Sequence, residues 1–151
     1  MAEAFEEARD GLLLTGDADR MQVELIHRWL AEGSYWAAGR DLEVVRRSLA
    51  GSRCYGVFRD DVQVGFARAV TDEATFAWIC DVFVAAPDRG LGIGSWLVDA
   101  IVRDLTGSGV SRFVLATRDA HEVYGRVGFG PVRYPERWME IDRRRAAASP
   151  P

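Results

Sequence analysis

The stretch from Asp81 to Leu97, DVFVAAPDRGLGIGSWL, most constrains what this chain can fold into. It begins within an apolar run that is rich in β-forming residues, and Pro87 and Asp88 interrupt that run. Three glycines follow, and apolar side chains then recur at helical spacing from Leu97 to Leu105. The pattern therefore predicts a strand, a glycine-rich loop and a helix, in that order.

The glycine-rich loop is interpreted as a cradle for a pyrophosphate. Glycines at a helix N-terminus let backbone N–H groups approach an anion, and the helix dipole favours negative charge there. The loop is not a P-loop, because it contains no Lys. Ser95 stands where the GxGxxG fingerprint of dinucleotide-binding domains has its third glycine. A glycine-rich turn that binds nothing is the alternative that the loop alone leaves open.

Two motifs resemble those of one protein family. Arg89, Gly92 and Gly94 form Arg-x-x-Gly-x-Gly, which resembles the pyrophosphate-binding motif of the GNAT superfamily of acyl-CoA-dependent N-acyltransferases. Further along the chain, Tyr124 and Gly128-Phe129 match that family's Tyr-x-x-x-Gly-Phe signature. Two motifs in the family's order are more specific than either one alone, and the resemblance covers roughly residues 11 to 141.

The resemblance implies a mixed α/β (α+β) fold. Its sheet is largely antiparallel, carries helices on both faces and is splayed between the fourth and fifth strands. Residue patterns predict strands at residues 11–15, 54–58, 62–70, 76–84, 113–116 and 138–141. They predict helices that follow Asp17 or Asp19 to about Glu32, run from about Asp41 to Gly51, follow the glycine loop to about Gly107, and run from Asp119 to Gly128.

Length and composition limit the domain organisation and the kinds of partner that this chain can have. With 151 residues, the chain is predicted to form a single domain over residues 1–142, followed by a disordered tail at residues 143–151. Residues 2–10 are expected to fray or form a loose turn. A net charge of −4 argues against nucleic acid as a partner, and no apolar run is long enough to span a membrane. Two cysteines and no signal peptide favour reduced thiols in the cytoplasm.

The resemblance implies acetyl-CoA as the cofactor and assigns residues to it. The backbone N–H of Val82 would hold the thioester carbonyl oxygen. Phe83 and Val84 would pair with the pantetheine arm as one strand pairs with another. The pyrophosphate would be held mainly through main-chain N–H groups of Arg89, Gly90, Gly92, Ile93, Gly94 and Ser95.

Tyr124 is the predicted general acid, because the signature tyrosine has that role in the family. A phenol has a pKa near 10, so it stays protonated and can donate a proton to the departing thiolate. The alternative is a half-buried tyrosine that only packs or bonds to the sulfur. His121 lies three residues earlier and could relay a proton, although a surface or packing role is commoner for such a residue.

This chain departs from the family's pattern at the positions where a general base is often found. Members often place a carboxylate or a His on the central strand, where this chain has Trp78 and Cys80. Asp81 points to the opposite face unless a bulge re-aims it, and such a bulge is typical of the family. Asp81 would then orient substrate in the catalytic site or serve as a structural partner for an N–H or an Arg. A water chain to Asp72 is a further alternative, and Cys80 as an acyl carrier is the least favoured.

Substrate contacts in the family come largely from the segment between the first two helices. That segment holds Ser34, Tyr35 and Trp36 here, and aromatic faces could hold a flat substrate or an ammonium group. Tyr35 and Trp36 could instead cover the edge of the core. Cys80 is included among the predicted substrate contacts, and no metal site is predicted.

These observations predict an N-acetyltransferase that moves an acetyl group from acetyl-CoA to the primary amine of a small molecule, by direct transfer in a ternary complex. The family often forms homodimers. The alternative is a non-catalytic acyl-CoA-binding or regulatory domain, which the missing strand carboxylate favours. A dinucleotide-binding oxidoreductase is a weaker third alternative, because the third glycine is missing.

Overall fold

The computed structural model describes residues 3–144 and contains one six-stranded sheet whose strands lie in chain order. Neighbouring strands are antiparallel except for the last pair, which is parallel. The strands are β1 (Glu6–Arg9), β2 (Leu12–Thr15), β3 (Arg53–Arg59), β4 (Val62–Thr71), β5 (Ala77–Val84) and β6 (Phe113–Val114). The mixed, largely antiparallel sheet predicted from the sequence is confirmed.

Four α-helices connect or flank the strands. They are α1 (Val23–Gly33), α2 (Leu42–Ala50), α3 (Ile93–Gly107) and α4 (His121–Val127). Asp17 caps a short 3₁₀ turn, Ala18–Arg20, rather than α1 itself. Gly128 ends α4 as predicted, with a positive φ of 118° that favours glycine.

Two apolar clusters place the helices on opposite faces of the sheet. On one face, α3 packs Leu97 and Ile101 against side chains of the strands, including Tyr55 and Val57. On the other face, α1 and α2 pack around Phe66 of β4. Gly65 brings α3 close to β4, because a Cβ there would lie 3.0 Å from Ile93 Cγ2. This contact fixes the start of α3, and with it the glycine loop.

The sheet opens between β5 and β6. The two strands pair only at Ala77 with Phe113 and at Trp78 with Val114. Beyond Trp78 this edge of β5 has no strand partner in residues 3–144. The predicted splay is confirmed, and it leaves a gap beside the second half of β5.

Three predictions about local structure were wrong. Residues 6–9 form β1 rather than a frayed end, because Asp10 and Gly11 adopt left-handed conformations (φ 52° and 79°) and close a two-residue hairpin onto β2. Residues 115–116 lie outside β6. Residues 138–141 form no strand, because their apolar side chains do not pack onto the sheet: Met139 is 96% exposed and Ile141 is 82% exposed.

Two further observations concern the whole chain. Of the predicted disordered tail, residues 145–151 lie outside the described residues, whereas Arg144 donates hydrogen bonds to Asp142. None of the helices within residues 3–144 has the length and apolar character needed to span a bilayer.

Replacement of Leu97 by Ala should lower the free energy of unfolding by about 2–5 kcal/mol, because Leu97 is fully buried between α3 and the sheet. Leu91 is 62% exposed, so Leu91→Ala is the matched control and should change stability by less than about 0.5 kcal/mol. Urea denaturation monitored by circular dichroism measures both. Equal losses for the two variants would contradict the packing described here.

Candidate active site

A bulge in β5 sets the position of Asp81. Phe66 of β4 pairs with Phe83, whereas Arg68 pairs with Cys80, so β5 carries one extra residue between these two pairs. Asp81 has a φ of 53°, a left-handed conformation that is uncommon for residues other than glycine. The bulge brings its side chain into the protein, where Asp81 is 4% exposed.

Three side chains surround the Asp81 carboxylate. Arg40 Nη1 and Arg68 Nε donate to Oδ2 at 2.8 and 2.7 Å, respectively. Trp36 Nε1 donates to Oδ1 at 2.9 Å. Burial alone would raise the pKa of Asp81, but the two guanidinium groups outweigh burial and lower it. A carboxylate with a lowered pKa and both oxygens engaged is a poor proton acceptor, so these contacts favour the structural role over direct participation in catalysis.

Other contacts hold the two arginines in place. His27 Nε2 lies 3.0 Å from the backbone oxygen of Arg40, which ties that residue to α1. Arg68 Nη1 donates to Ser52 Oγ at 3.0 Å. Sequence reasoning missed both arginines. Arg40 is 41 residues from Asp81 and lies in a loop without a motif, so no local pattern could have indicated it.

A cleft of about 480 Å³ lies where β5 and the chain after β6 diverge. It brings together most of the residues predicted from the sequence for substrate binding and catalysis, and it adds the two arginines. Its lining includes Tyr35, Trp36, Arg40, Arg68, Trp78, Cys80, Asp81, Val82 and Tyr124.

The Tyr-x-x-x-Gly-Phe motif holds Tyr124 at the wall of this cleft. The left-handed Gly128 turns the chain back, so that the Phe129 N–H donates to the Tyr124 carbonyl at 3.1 Å. The Phe129 ring meets the Tyr124 ring edge-on, with centroids 6.4 Å apart. Burial raises the pKa of Tyr124, and nearby Tyr35 and Asp119 raise it further. The phenol is therefore a protonated donor at neutral pH.

Cys80 contributes a wall to the cleft rather than a nucleophile. Its side chain is half-buried, and burial raises the pKa of the thiol to about 11. At neutral pH the thiol is protonated, and the thiolate is the form that attacks.

Three other residues considered from the sequence lie outside this cleft or are already engaged. Asp72 sits in the exposed turn between β4 and β5, where it accepts hydrogen bonds from the N–H groups of the next residues. His121 is exposed and lines a second cavity, which meets the cleft at Tyr124. Ser34 is buried, and its hydroxyl donates to the Leu30 carbonyl at 2.8 Å.

The glycine loop leads directly into the first turn of α3. Gly90 and Gly92 have φ values of 85° and 79°, and Gly92 precedes the helix without a side-chain cap. The first N–H bonded within the helix is that of Trp96, which donates to the Gly92 carbonyl at 3.0 Å. The N–H groups of Ile93, Gly94 and Ser95 therefore have no partner inside the helix. No acidic residue lies in this turn.

This arrangement fits a pyrophosphate. Free N–H groups and the positive end of the helix dipole both favour an anion. A Cβ on Gly90 would meet no atom within 4 Å, so open space lies beside the loop. Arg89 is exposed, and its Nε donates to the Val84 carbonyl at 3.0 Å, which fixes its guanidinium at the end of β5.

The residues assigned to the pantetheine arm lie on the open edge of the sheet. Val82 and Val84 are half-buried, and their strand has lost its partner on the β6 side. Phe83 points into the opposite face, where its ring stacks on Trp29 with centroids 5.4 Å apart. Any contact of Phe83 with a ligand would therefore come from its backbone.

Comparison with known proteins identifies acetyltransferases among the relatives of this chain. Residues 23–129, more than two thirds of the chain, match the family model for the acetyltransferase (GNAT) family. A protein from Gibberella zeae named "Putative acetyltransferase FG08082" is 27% identical over an alignment that covers 78% of each chain.

Solved structures agree in fold. A crystal structure of a protein assigned to the GNAT family from Xanthomonas campestris pv. campestris is 39% identical, with a TM-score of 0.83 over 89% of this chain and 95% of that one. A GNAT-family acetyltransferase from Elizabethkingia anophelis, with acetyl-CoA bound, has a TM-score of 0.64 at 15% identity, over 87% of this chain and 88% of that one. The family model, the two motifs and the splayed sheet agree: this chain belongs to the GNAT family of acetyltransferases.

Proposed function

We propose that the protein is an N-acetyltransferase that moves an acetyl group from acetyl-CoA to the primary amine of a small molecule, by direct transfer in a ternary complex. One observation carries this proposal: Tyr124 faces the unpaired edge of β5 across a single cleft. The Elizabethkingia relative, which holds acetyl-CoA, supports the choice of cofactor.

The chain offers two surfaces to acetyl-CoA. The N–H groups at the start of α3, together with Arg89, would hold the pyrophosphate. The backbone of residues 82–84 would pair with the pantetheine arm, and the Val82 N–H would polarise the carbonyl. Acetyl-CoA supplies an acetyl group activated as a thioester.

Tyr124 acts on the leaving group. The amine nitrogen forms the new C–N bond as the C–S bond breaks, and Tyr124 donates its phenolic proton to the sulfur. The proton that the amine gives up passes to solvent, and Tyr124 recovers a proton from solvent. The raised pKa of Tyr124 keeps the donor loaded at neutral pH.

No histidine is among the described residues that line the cleft, and its other candidate bases are engaged or protonated. Asp81 is engaged by two arginines and has a lowered pKa, whereas burial raises the pKa of Cys80 to about 11. Asp119 lies at the rim, paired with Arg118 at 3.2 Å. The amine therefore has to lose its proton to water, and the rate depends on the amine's own pKa.

The free thiols of Cys54 and Cys80 suit a reducing compartment, and we propose the cytoplasm. Homodimer formation stays a prediction from the family resemblance. Gel filtration coupled to light scattering would measure it.

Because no base is built into the cleft, kcat/KM should rise with pH in parallel with deprotonation of the acceptor. Two accepted amines that differ in pKa should therefore give acidic limbs displaced by the same difference. On the alkaline side, activity should fall only above the ordinary tyrosine pKa near 10, since burial raises the pKa of Tyr124. Acidic limbs that coincide for both amines would instead reveal a base in the protein.

The Tyr124→Phe variant should lose about 10²-fold or more in kcat, because the proton donor is removed while the ring remains. Binding of acetyl-CoA, measured by calorimetry, should stay close to the wild-type value. Tyr134→Phe is the matched control, since Tyr134 lines the second cavity but, unlike Tyr124, does not line the proposed acceptor cleft. Full turnover by Tyr124→Phe would show that Tyr124 is not the general acid.

The Gly92→Asp variant should weaken binding of acetyl-CoA by at least about tenfold, because it sets a carboxylate against the pyrophosphate. Gly92→Asn is the control, because Asn tolerates the same left-handed conformation without a charge and should bind much more tightly than the Asp variant. Equal affinities for the two variants would contradict the cradle. Binding without amine-dependent thiol release in the wild type would favour the non-catalytic alternative.

A further inference from the structure

We propose that the acceptor amine also carries a carboxylate group, which Arg40 and Arg68 bind in the cleft. The inference rests on the proposed function and names the class of its substrate: an amino acid or a similar amine that bears an acid.

The interior of the cleft has an excess of positive charge. Arg40 and Arg68 both line it, and they share a single carboxylate, that of Asp81. Two guanidinium groups with one carboxylate leave one positive charge without a counterion in this cluster. A singly charged carboxylate on the substrate would balance it.

The rim of the cleft does not change this balance. At the rim, the carboxylate of Asp119 is paired with Arg118, and the guanidinium of Arg144 is paired with Asp142. Each of these two charges therefore has its own counterion. The cleft therefore offers no unpaired carboxylate, among the described residues, that would hold a substrate ammonium group. Its charges favour an anionic substituent over a second cationic one.

Arg40 and Arg68 both retain side-chain N–H groups that could donate hydrogen bonds to a substrate. A guanidinium has five N–H donors. Within residues 3–144, the side chain of Arg40 donates one hydrogen bond and that of Arg68 donates two. Their side chains are 22% and 13% exposed, so the groups reach the surface of the cleft while Asp81 and Ser52 hold them. Guanidinium donors fixed in this way suit the planar carboxylate.

The remaining walls suit an apolar substrate body. Tyr35, Trp36 and Trp78 line the cleft and remain 49%, 37% and 37% exposed, respectively, although the Arg118 guanidinium covers one face of Tyr35 at 3.8 Å. Aromatic faces of this kind bury flat or aliphatic groups without demanding hydrogen bonds from them. A substrate with an amine, a carboxylate and an apolar body matches all three features of the cleft.

Matched acceptor pairs test the inference. L-Phenylalanine would be compared with L-phenylalaninamide, and 4-(aminomethyl)benzoate with 4-(aminomethyl)benzamide. Thiol release from acetyl-CoA would be followed at one pH below the alkaline limb of activity, and each kcat/KM would be expressed per concentration of the neutral form of that amine. In at least one pair, the acid should show a kcat/KM at least about tenfold higher than the amide. Amides that equal or exceed the acids in both pairs would overturn the inference.

The Arg40→Gln variant tests which residue binds the acid. Its KM for the preferred acid should rise at least about tenfold with little change in kcat, whereas KM for the amide should stay constant. Arg46→Gln is the control, since Arg46 lies on α2, pairs with Glu24 and does not line the cleft. Equal losses for acid and amide would show that Arg40 serves only the structure, against the proposal.

A binding probe separates this inference from the proposed function. 3-Phenylpropanoate and 3-phenylpropanamide would be titrated into the protein by ligand-observed NMR without any thioester present. The acid should bind to the wild type but not to Arg40→Gln, and the amide should bind to neither. Absence of acid binding overturns the inference. Failure of acetyl-CoA to bind in a separate calorimetric titration overturns the proposed function instead.

Discussion

The buried carboxylate of Asp81 is the contact on which the rest of the site depends. It joins β5 to β4 through Arg68 and to the segment after α1 through Arg40 and Trp36. A buried charge is costly unless it is paired and hydrogen-bonded, and here both oxygens have partners. Loss of the carboxylate would leave both guanidinium groups without the counterion that they share, so Asp81 holds the three segments in one arrangement.

The same strand provides several features that a transferase needs. The bulge at Asp81 turns that side chain inward, and the half-buried Val82 and Val84 lie beyond it. Because β6 pairs with β5 at only two positions, this stretch of backbone is open on one side. The glycine loop begins a few residues after β5 ends, and Arg89 is tied back to Val84. The candidate active site and the glycine loop therefore lie on one continuous stretch of chain.

Short sequence patterns predicted those elements whose formation depends on residues close together in the chain. The glycine loop, the end of α4 at Gly128 and the apolar β5 all follow from residues close together in the chain. The Asp10-Gly11 turn was also a local signal, because Asp-Gly is typical of two-residue hairpins, but the acidic N-terminus drew the prediction towards a frayed end. The strand predicted at residues 138–141 is wrong, because an apolar run does not by itself show whether its side chains pack onto the sheet, and Met139 and Ile141 are exposed.

The site was only partly predictable for the same reason. Motifs and the order of the elements predicted site roles for Tyr124, Cys80 and the aromatic pair Tyr35 and Trp36, and these residues line one cleft. The partners of Asp81 were not found, because Arg40 is 41 residues away and Arg68 is 13. An ion pair across such distances leaves no periodic pattern. Only the fold shows that Asp81 is already engaged.

The parallel pairing of β5 and β6 over two positions has a consequence for motion. The wall that carries Tyr124 continues from the short β6 into α4, a helix of seven residues none of which is fully buried. Segments with few backbone bridges and little buried surface open locally at a lower free energy than the whole domain. The cleft is thus bounded on one side by β5, which pairs with β4, and on the other by α4, where local opening requires less free energy. Local opening of this segment would move Tyr124 away from the opposite wall without unpairing β5 from β4.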